Sequence, residues 1–94
     1  MDKLYVQLAA LAKRFGAHRL VLFGSRARGD QKERSDIDLA VYGMPQSSRA
    51  SFRLAAEELP TLLKLDVVHI TPGMNPKFLE NIEKDGITLY AAED

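Results

Sequence analysis

The sequence contains no cysteine. That excludes disulfide bonds and cysteine-ligated zinc, and it agrees with a cytoplasmic location. Net charge is absent too, since 13 lysines and arginines balance 13 aspartates and glutamates. A chain with no surplus of positive charge exerts no long-range pull on nucleic acid or anionic membranes, so no direct nucleic-acid binding is expected. No apolar run approaches the length of a membrane span. The opening residues, Met1 to Phe15, mix acid and base among periodic apolar positions and lack the unbroken apolar stretch of a signal peptide. Repeats, linkers and low-complexity segments are missing as well. The expectation is one domain over residues 1–94, small for a single core, in a soluble cytoplasmic protein.

The patterning that is present predicts alternating helices and strands. Leu4, Leu8, Leu11 and Phe15 fall at helical spacing, with Asp2 placed to cap and Gly16 to stop. Arg19 to Phe23 is short, apolar and bounded by Gly24, as a buried strand would be. Ser25 to Gly29 suits one helical turn capped by Ser25. From Asp36 the residues alternate: Ile37, Leu39 and Val41 face one way, Asp36, Asp38 and Ala40 the other. Ser47 or Ser48 can cap a helix through Phe52, Ala55, Ala56 and Leu59, which Pro60 ends or kinks. Leu63 to Ile70 is a third strand. Asn75-Pro76 opens a last helix that Asp85-Gly86 closes, and Ile87 to Tyr90 adds a short strand. The fold class is therefore α/β (α+β): a small mixed sheet with helices packed on it.

Two carboxylates stand at the mouth of the second strand. Asp36 and Asp38, two apart, project from one face roughly 7 Å from each other at the Cα atoms. Like charges held that close raise one another's pKa and destabilise the strand unless something positive lies between them. Acids at a strand end are commonly just solvated, and alone this pair would say no more. Asp66 adds a third, one residue into an otherwise apolar strand. If that strand lies beside the Asp36–Asp38 strand, the three meet on one face. They would then form a hard-oxygen site suited to Mg²⁺ or Mn²⁺. Two such ions can activate an attacking oxygen and stabilise a leaving one at phosphorus. Gly24-Ser25 complements this site, because a strand ending into a helical turn offers free N–H groups and a hydroxyl to phosphate. Arg26 and Arg28 add cations, while the lysine and long glycine loop of a Walker P-loop are missing.

Gly24-Ser25, ten intervening residues and Asp36-Ile37-Asp38 resemble the GS-x10-DxD signature of the polymerase-β-like nucleotidyltransferases. More narrowly, Leu22 to Val41 in a chain of this length is similar to the minimal nucleotidyltransferases (MNT), antitoxins encoded beside HEPN-domain ribonuclease toxins. The resemblance implies the polymerase-β-like fold and a role for each matching residue. Gly24 and Ser25 would hold the triphosphate of ATP, with Arg26 contacting phosphate and Arg28 the lesser candidate. Asp36 and Asp38 would bind both metal ions, Mg²⁺ or Mn²⁺. Asp66 would complete the second metal site and help deprotonate the attacking hydroxyl. The implied reaction moves AMP from ATP to a tyrosine of the HEPN toxin encoded by the neighbouring gene.

Other residues attract simpler readings. His69, three along from Asp66, points to the opposite face of a regular strand, and His18 has no partner in sequence. Asp30, Glu33 and their neighbours read as a solvated charge run, with Ser35 at a turn. Two further functions stay open: a non-catalytic antitoxin acting by steric contact, and nucleotidyl transfer to a small molecule. The second would need an acceptor domain that a chain of this length has no room for. Homo- or hetero-oligomeric assembly is likewise left open.

Overall fold

The computed structural model describes residues 2–93. Helix α1 (Lys3–Arg14) starts where the Asp2 carboxylate accepts the Leu4 N–H at 2.8 Å. Strand β1 (Arg19–Phe23) leads through Gly24 into the single turn α2 (Ser25–Arg28). Strand β2 (Ile37–Tyr42) is followed by a 3-10 turn over Gln46–Ser48 and by helix α3 (Arg49–Glu57). Strand β3 (Leu65–Ile70), helix α4 (Pro76–Asp85) and strand β4 (Ile87–Ala91) complete the order.

The four strands form one sheet in the order β3-β2-β1-β4. β1 runs antiparallel to both β2 and β4, whereas β3 runs parallel to β2 through the crossover helix α3. The sheet is mixed, as expected. Its two central strands are apolar on both faces because both faces are covered. Leu20, Leu22, Ile37, Leu39 and Val41 pack beneath α1 and α3 against Leu8, Ala12 and Phe52, all buried. Phe15 and Phe52 close this layer edge to face, with ring centroids 6.3 Å apart. On the other face Val21 and Ala40 meet Ile82 of α4 in a smaller layer, with Phe23, Tyr42, Ile70 and Phe78 packed around it. Small Ala40 and Gly86 let α4 approach, since a Cβ on Gly86 would lie 2.6 Å from Val21 Cγ1. Among the described residues no helix is long and apolar enough to cross a membrane.

Three local expectations shift. β3 begins at Leu65, not Leu63, because the chain leaving Pro60 first turns, with the Leu63 N–H donating to Thr61 Oγ1 at 3.1 Å. Ser25 is the first helical residue of α2, and Gly24 occupies the capping position with φ of 76°. Ser48 sits at the start of α3 without a side-chain capping bond, because the 3-10 turn before it already feeds the helix. α3 ends at Glu57, ahead of Pro60. Asn75, by contrast, is a working cap: its Oδ1 accepts from Lys77 N at 2.8 Å and Phe78 N at 3.4 Å.

The two capping positions therefore differ in a measurable way. Asn75→Ala is expected to cost about 1 kcal/mol and lower Tm by about 4–8 °C. Ser48→Ala should leave Tm within about 3 °C of the parent. Equal losses in a thermal melt followed by circular dichroism would contradict this assignment.

Candidate active site

The register of the sheet assembles the site. Across β1, β2 and β3 the paired positions are Phe23, Asp38 and Asp66. Residues at paired positions share a face, so the Asp38 and Asp66 side chains stand next to each other on the side that carries α4. At this end of the face Phe78 of α4 covers Phe23, while Asp66 on β3 is exposed. Asp36 lies just before β2, with the Ile37 N–H bonded to the Lys64 carbonyl at 2.9 Å. Asp36 and Asp66 are exposed and Asp38 is half-buried.

The electrostatics follow from that packing. Asp38 has its pKa raised, first by burial, then by the charges of Asp66 and Asp36 and by a hydrogen bond shared with the Asp66 carboxyl. The Arg28 guanidinium opposes the shift. Asp66 thus acts on Asp38 more strongly than Asp36 does.

Gly24 is required twice over. Its φ of 76° lies in the region that favours glycine, and any Cβ there would collide with Asp38 Oδ2. The turn that begins α2 is thereby pressed against the central carboxylate, and the Ser25 hydroxyl opens the helix beside it. Arg26, given a phosphate contact by the family resemblance, is occupied in the structure. Its Nε and Nη2 donate to the Ser35 carbonyl at 3.1 and 2.9 Å, and Nη2 also reaches the Glu33 carbonyl at 3.5 Å. Arg26 therefore ties α2 to the residues that deliver Asp36. Arg28 is the cation whose field is felt at Asp38, although its Nε also lies 3.3 Å from Asp30 Oδ2.

His69 lies on the opposite face, as its spacing predicts, beside Arg49 and Arg53 of α3. Burial, aided by the Arg49 charge, lowers its pKa, and its Nδ1 is buried without a hydrogen-bond partner. It does not reach the carboxylates. The sequence reading missed what flanks Gly24 on its other side: a cavity of about 360 Å³ walled by Phe23 and by Phe78, Asn81 and Asp85 of α4. Helical spacing marks those α4 positions as one face, but nothing local says which strand end that face will meet.

The donor set suits a hard divalent cation. All three side chains offer carboxylate oxygens, and the open face leaves room for waters and phosphate oxygens. Among the described residues no three His, Cys, Asp or Glu side chains are gathered closely enough to hold a metal ion, so Asp36, Asp38 and Asp66 do not yet converge as a ligand set. Asp38 and Asp66 are the preassembled pair, and Asp36 stands nearest to join them.

Residues 7–94 match the model of the family described as polymerase beta, nucleotidyltransferase. The chain belongs to that family, and its sheet is the polymerase-β-like nucleotidyltransferase fold. Among solved structures, it is similar to a protein described as a minimal nucleotidyltransferase, with 33% identity over 88% of this chain and 86% of that one, at a TM-score of 0.65. Two toxin–antitoxin structures share the fold. An MntA–HpeT mutant matches at 19% identity over 95% of this chain and 74% of that one, with a TM-score of 0.71. A toxin–antitoxin structure with AMP-PNP matches at 20% identity over 98% and 76%, with a TM-score of 0.70. No curated protein sequence matches the chain.

The clustered charge has a thermodynamic signature. A carboxyl whose folded pKa is raised binds its proton more tightly in the folded chain, so it adds stability at low pH that is lost as pH rises through the folded pKa. Without added metal, Asp38→Asn should therefore melt at or above the parent's temperature at pH 7. That advantage should shrink as the pH falls and Asp38 protonates. Melting curves at pH 7 and pH 4 test this, and an Asn variant clearly less stable than the parent at pH 7 would refute it.

Proposed function

We propose that this chain transfers AMP from ATP to a hydroxyl of a partner protein, a tyrosine of a HEPN-type ribonuclease toxin, and so acts as its antitoxin. One observation carries the reading: β2–β3 pairing sets Asp38 beside Asp66 while Gly24 packs against Asp38. In this reading the turn that would seat phosphate and the pair that would bind metal meet at one carboxylate. Family membership supports the reaction class, and the toxin–antitoxin neighbours, one of them with AMP-PNP, support the partner and donor. A cytoplasmic site of action goes with ATP as the donor.

In this reading Gly24 and Ser25 hold the triphosphate, with the Gly24 backbone free to approach it closely. Arg28 offsets the charge that gathers beside Asp38. Arg26 keeps the loop in place through Nε and Nη2 so that Asp36 arrives at the mouth of β2, and its Nη1 is the group left to meet phosphate. Asp36, Asp38 and Asp66 would hold two Mg²⁺ or Mn²⁺ ions, which supply Lewis-acid stabilisation of the phosphate oxygens and of the attacking and leaving groups. The tyrosine oxygen bonds to the α-phosphorus as the bond to the bridging oxygen breaks. Pyrophosphate leaves, and the hydroxyl proton passes to Asp66. The open face above the acids is where the acceptor must enter.

A second reading is steric neutralisation without catalysis. It is favoured by Leu62, fully exposed at a groove of about 570 Å³ that it shares with Arg34 and Asp36. An apolar side chain so placed suits coverage by a protein surface. One experiment separates the two. The chain is incubated with Mg²⁺, ATP labelled in its α-phosphate and the product of the neighbouring gene. The parent should label that protein, and Asp36→Asn or Asp38→Asn should lower the rate on the order of a hundredfold or more. Labelling that never occurs, or neutralisation that survives Asp38→Asn, would overturn the enzymatic reading in favour of the steric one.

A further inference from the structure

A nucleotide donor needs a seat for its nucleoside as well as for its phosphates, and the three acids provide none. The cavity between β1 and α4 is placed to do so. It is lined by Gly24 and Arg28, which act on or pack against Asp38, together with Phe23 and the α4 side chains Phe78, Asn81 and Asp85. Phe23 is the strand partner of Asp38. Ring and carboxylate are consequently neighbours on one face, and Gly24 both lines the cavity and packs against Asp38.

Its walls have the chemistry of a nucleoside pocket. Phe23 and Phe78 are half-buried and packed edge to face, with centroids 5.8 Å apart and planes at 86°. They give an apolar aromatic surface on which a base can lie. Asn81 is exposed and brings an amide, the group whose paired donor and acceptor match the N6 and N7 edge of adenine. Asp85 brings a carboxylate that can accept from ribose hydroxyls. Phe78, Asn81 and Asp85 recur at helical spacing, so one stripe of α4 carries all three. At about 360 Å³ the space falls within the range of small-molecule sites.

We propose that this cavity is the nucleoside subsite, receiving adenosine while the phosphates lie across Gly24 and Ser25 toward Asp38. The proposal rests on the nucleotide-donor reading above and adds where the donor's other half binds. It also gives α4 a function beyond covering Val21 and Ala40.

The test compares two ligands on the full chain by calorimetric titration in Mg²⁺: ATP and inorganic tripolyphosphate. The parent should bind ATP about tenfold more tightly or better. Asn81→Ala and Phe78→Leu, the latter keeping an apolar contact under α4, should each weaken ATP about fivefold or more. Tripolyphosphate should be held within about twofold of the parent by both variants. Amide resonances of α4 should move with ATP and stay still with tripolyphosphate. Equal affinity for the two ligands, or variants that leave ATP binding unchanged or weaken both ligands alike, would overturn the subsite while leaving the donor reading standing. Failure of the parent to bind either ligand would sink the donor reading itself, and the subsite with it.

Discussion

Parallel pairing of β2 with β3 places Asp38 beside Asp66, and much of this structure is arranged around the repulsion that results. Two carboxylates at paired positions oppose each other, and burial of Asp38 sharpens the conflict. The fold tolerates it because the strands are anchored below by an apolar layer on each face. Ile37, Leu39 and Val41 are buried against α1 and α3, and Ala40 is buried against Ile82. Burial of a run of aliphatic side chains, each worth about 1.5–3 kcal/mol, can hold a local electrostatic cost at one strand end. The acids sit where that cover stops.

The segment between Gly24 and Asp36 does the complementary work. Gly24 permits a turn so close to Asp38 that no side chain would fit, and Gly29, at φ of 83°, ends the short helix α2. Arg26 then clamps the returning loop through the Ser35 carbonyl. The charged loop is thus a structural spacer held through the Arg26 guanidinium and by the Lys32 N–H, which donates to Ser35 Oγ. It brings the end of β1 and the start of β2 together from opposite directions, as an antiparallel pair requires.

Much of the fold was legible in the sequence because the elements announce themselves locally. The period-two alternation from Ile37 to Val41, the Asp2 and Asn75 caps and the glycine stops after α1 and α2 all act within a few residues of where they stand. The misreadings have the same origin. A serine before a helix looks like a cap whether or not a preceding 3-10 turn makes it redundant, so Ser48 and Asn75 read alike and behave differently. The bond from Arg26 to the loop is hidden for the same reason, because its partner is a backbone carbonyl nine residues away, which side-chain identity cannot signal.

By itself, the sequence determined the element order, the capped starts of α1 and α4 and the spacing of Gly24-Ser25 to Asp36-Ile37-Asp38, since these depend on local backbone preference and side-chain periodicity. It supplied Asp66 as a third acid without fixing its neighbour. Only the tertiary structure decided that β3 lies parallel to β2 with Asp66 at Asp38, that Arg26 is tied to the loop, and that one stripe of α4 faces the Gly24 turn. Each is a contact between distant segments, chosen by how both faces of one sheet are buried at once. That choice belongs to the packed chain as a whole and to no stretch of it.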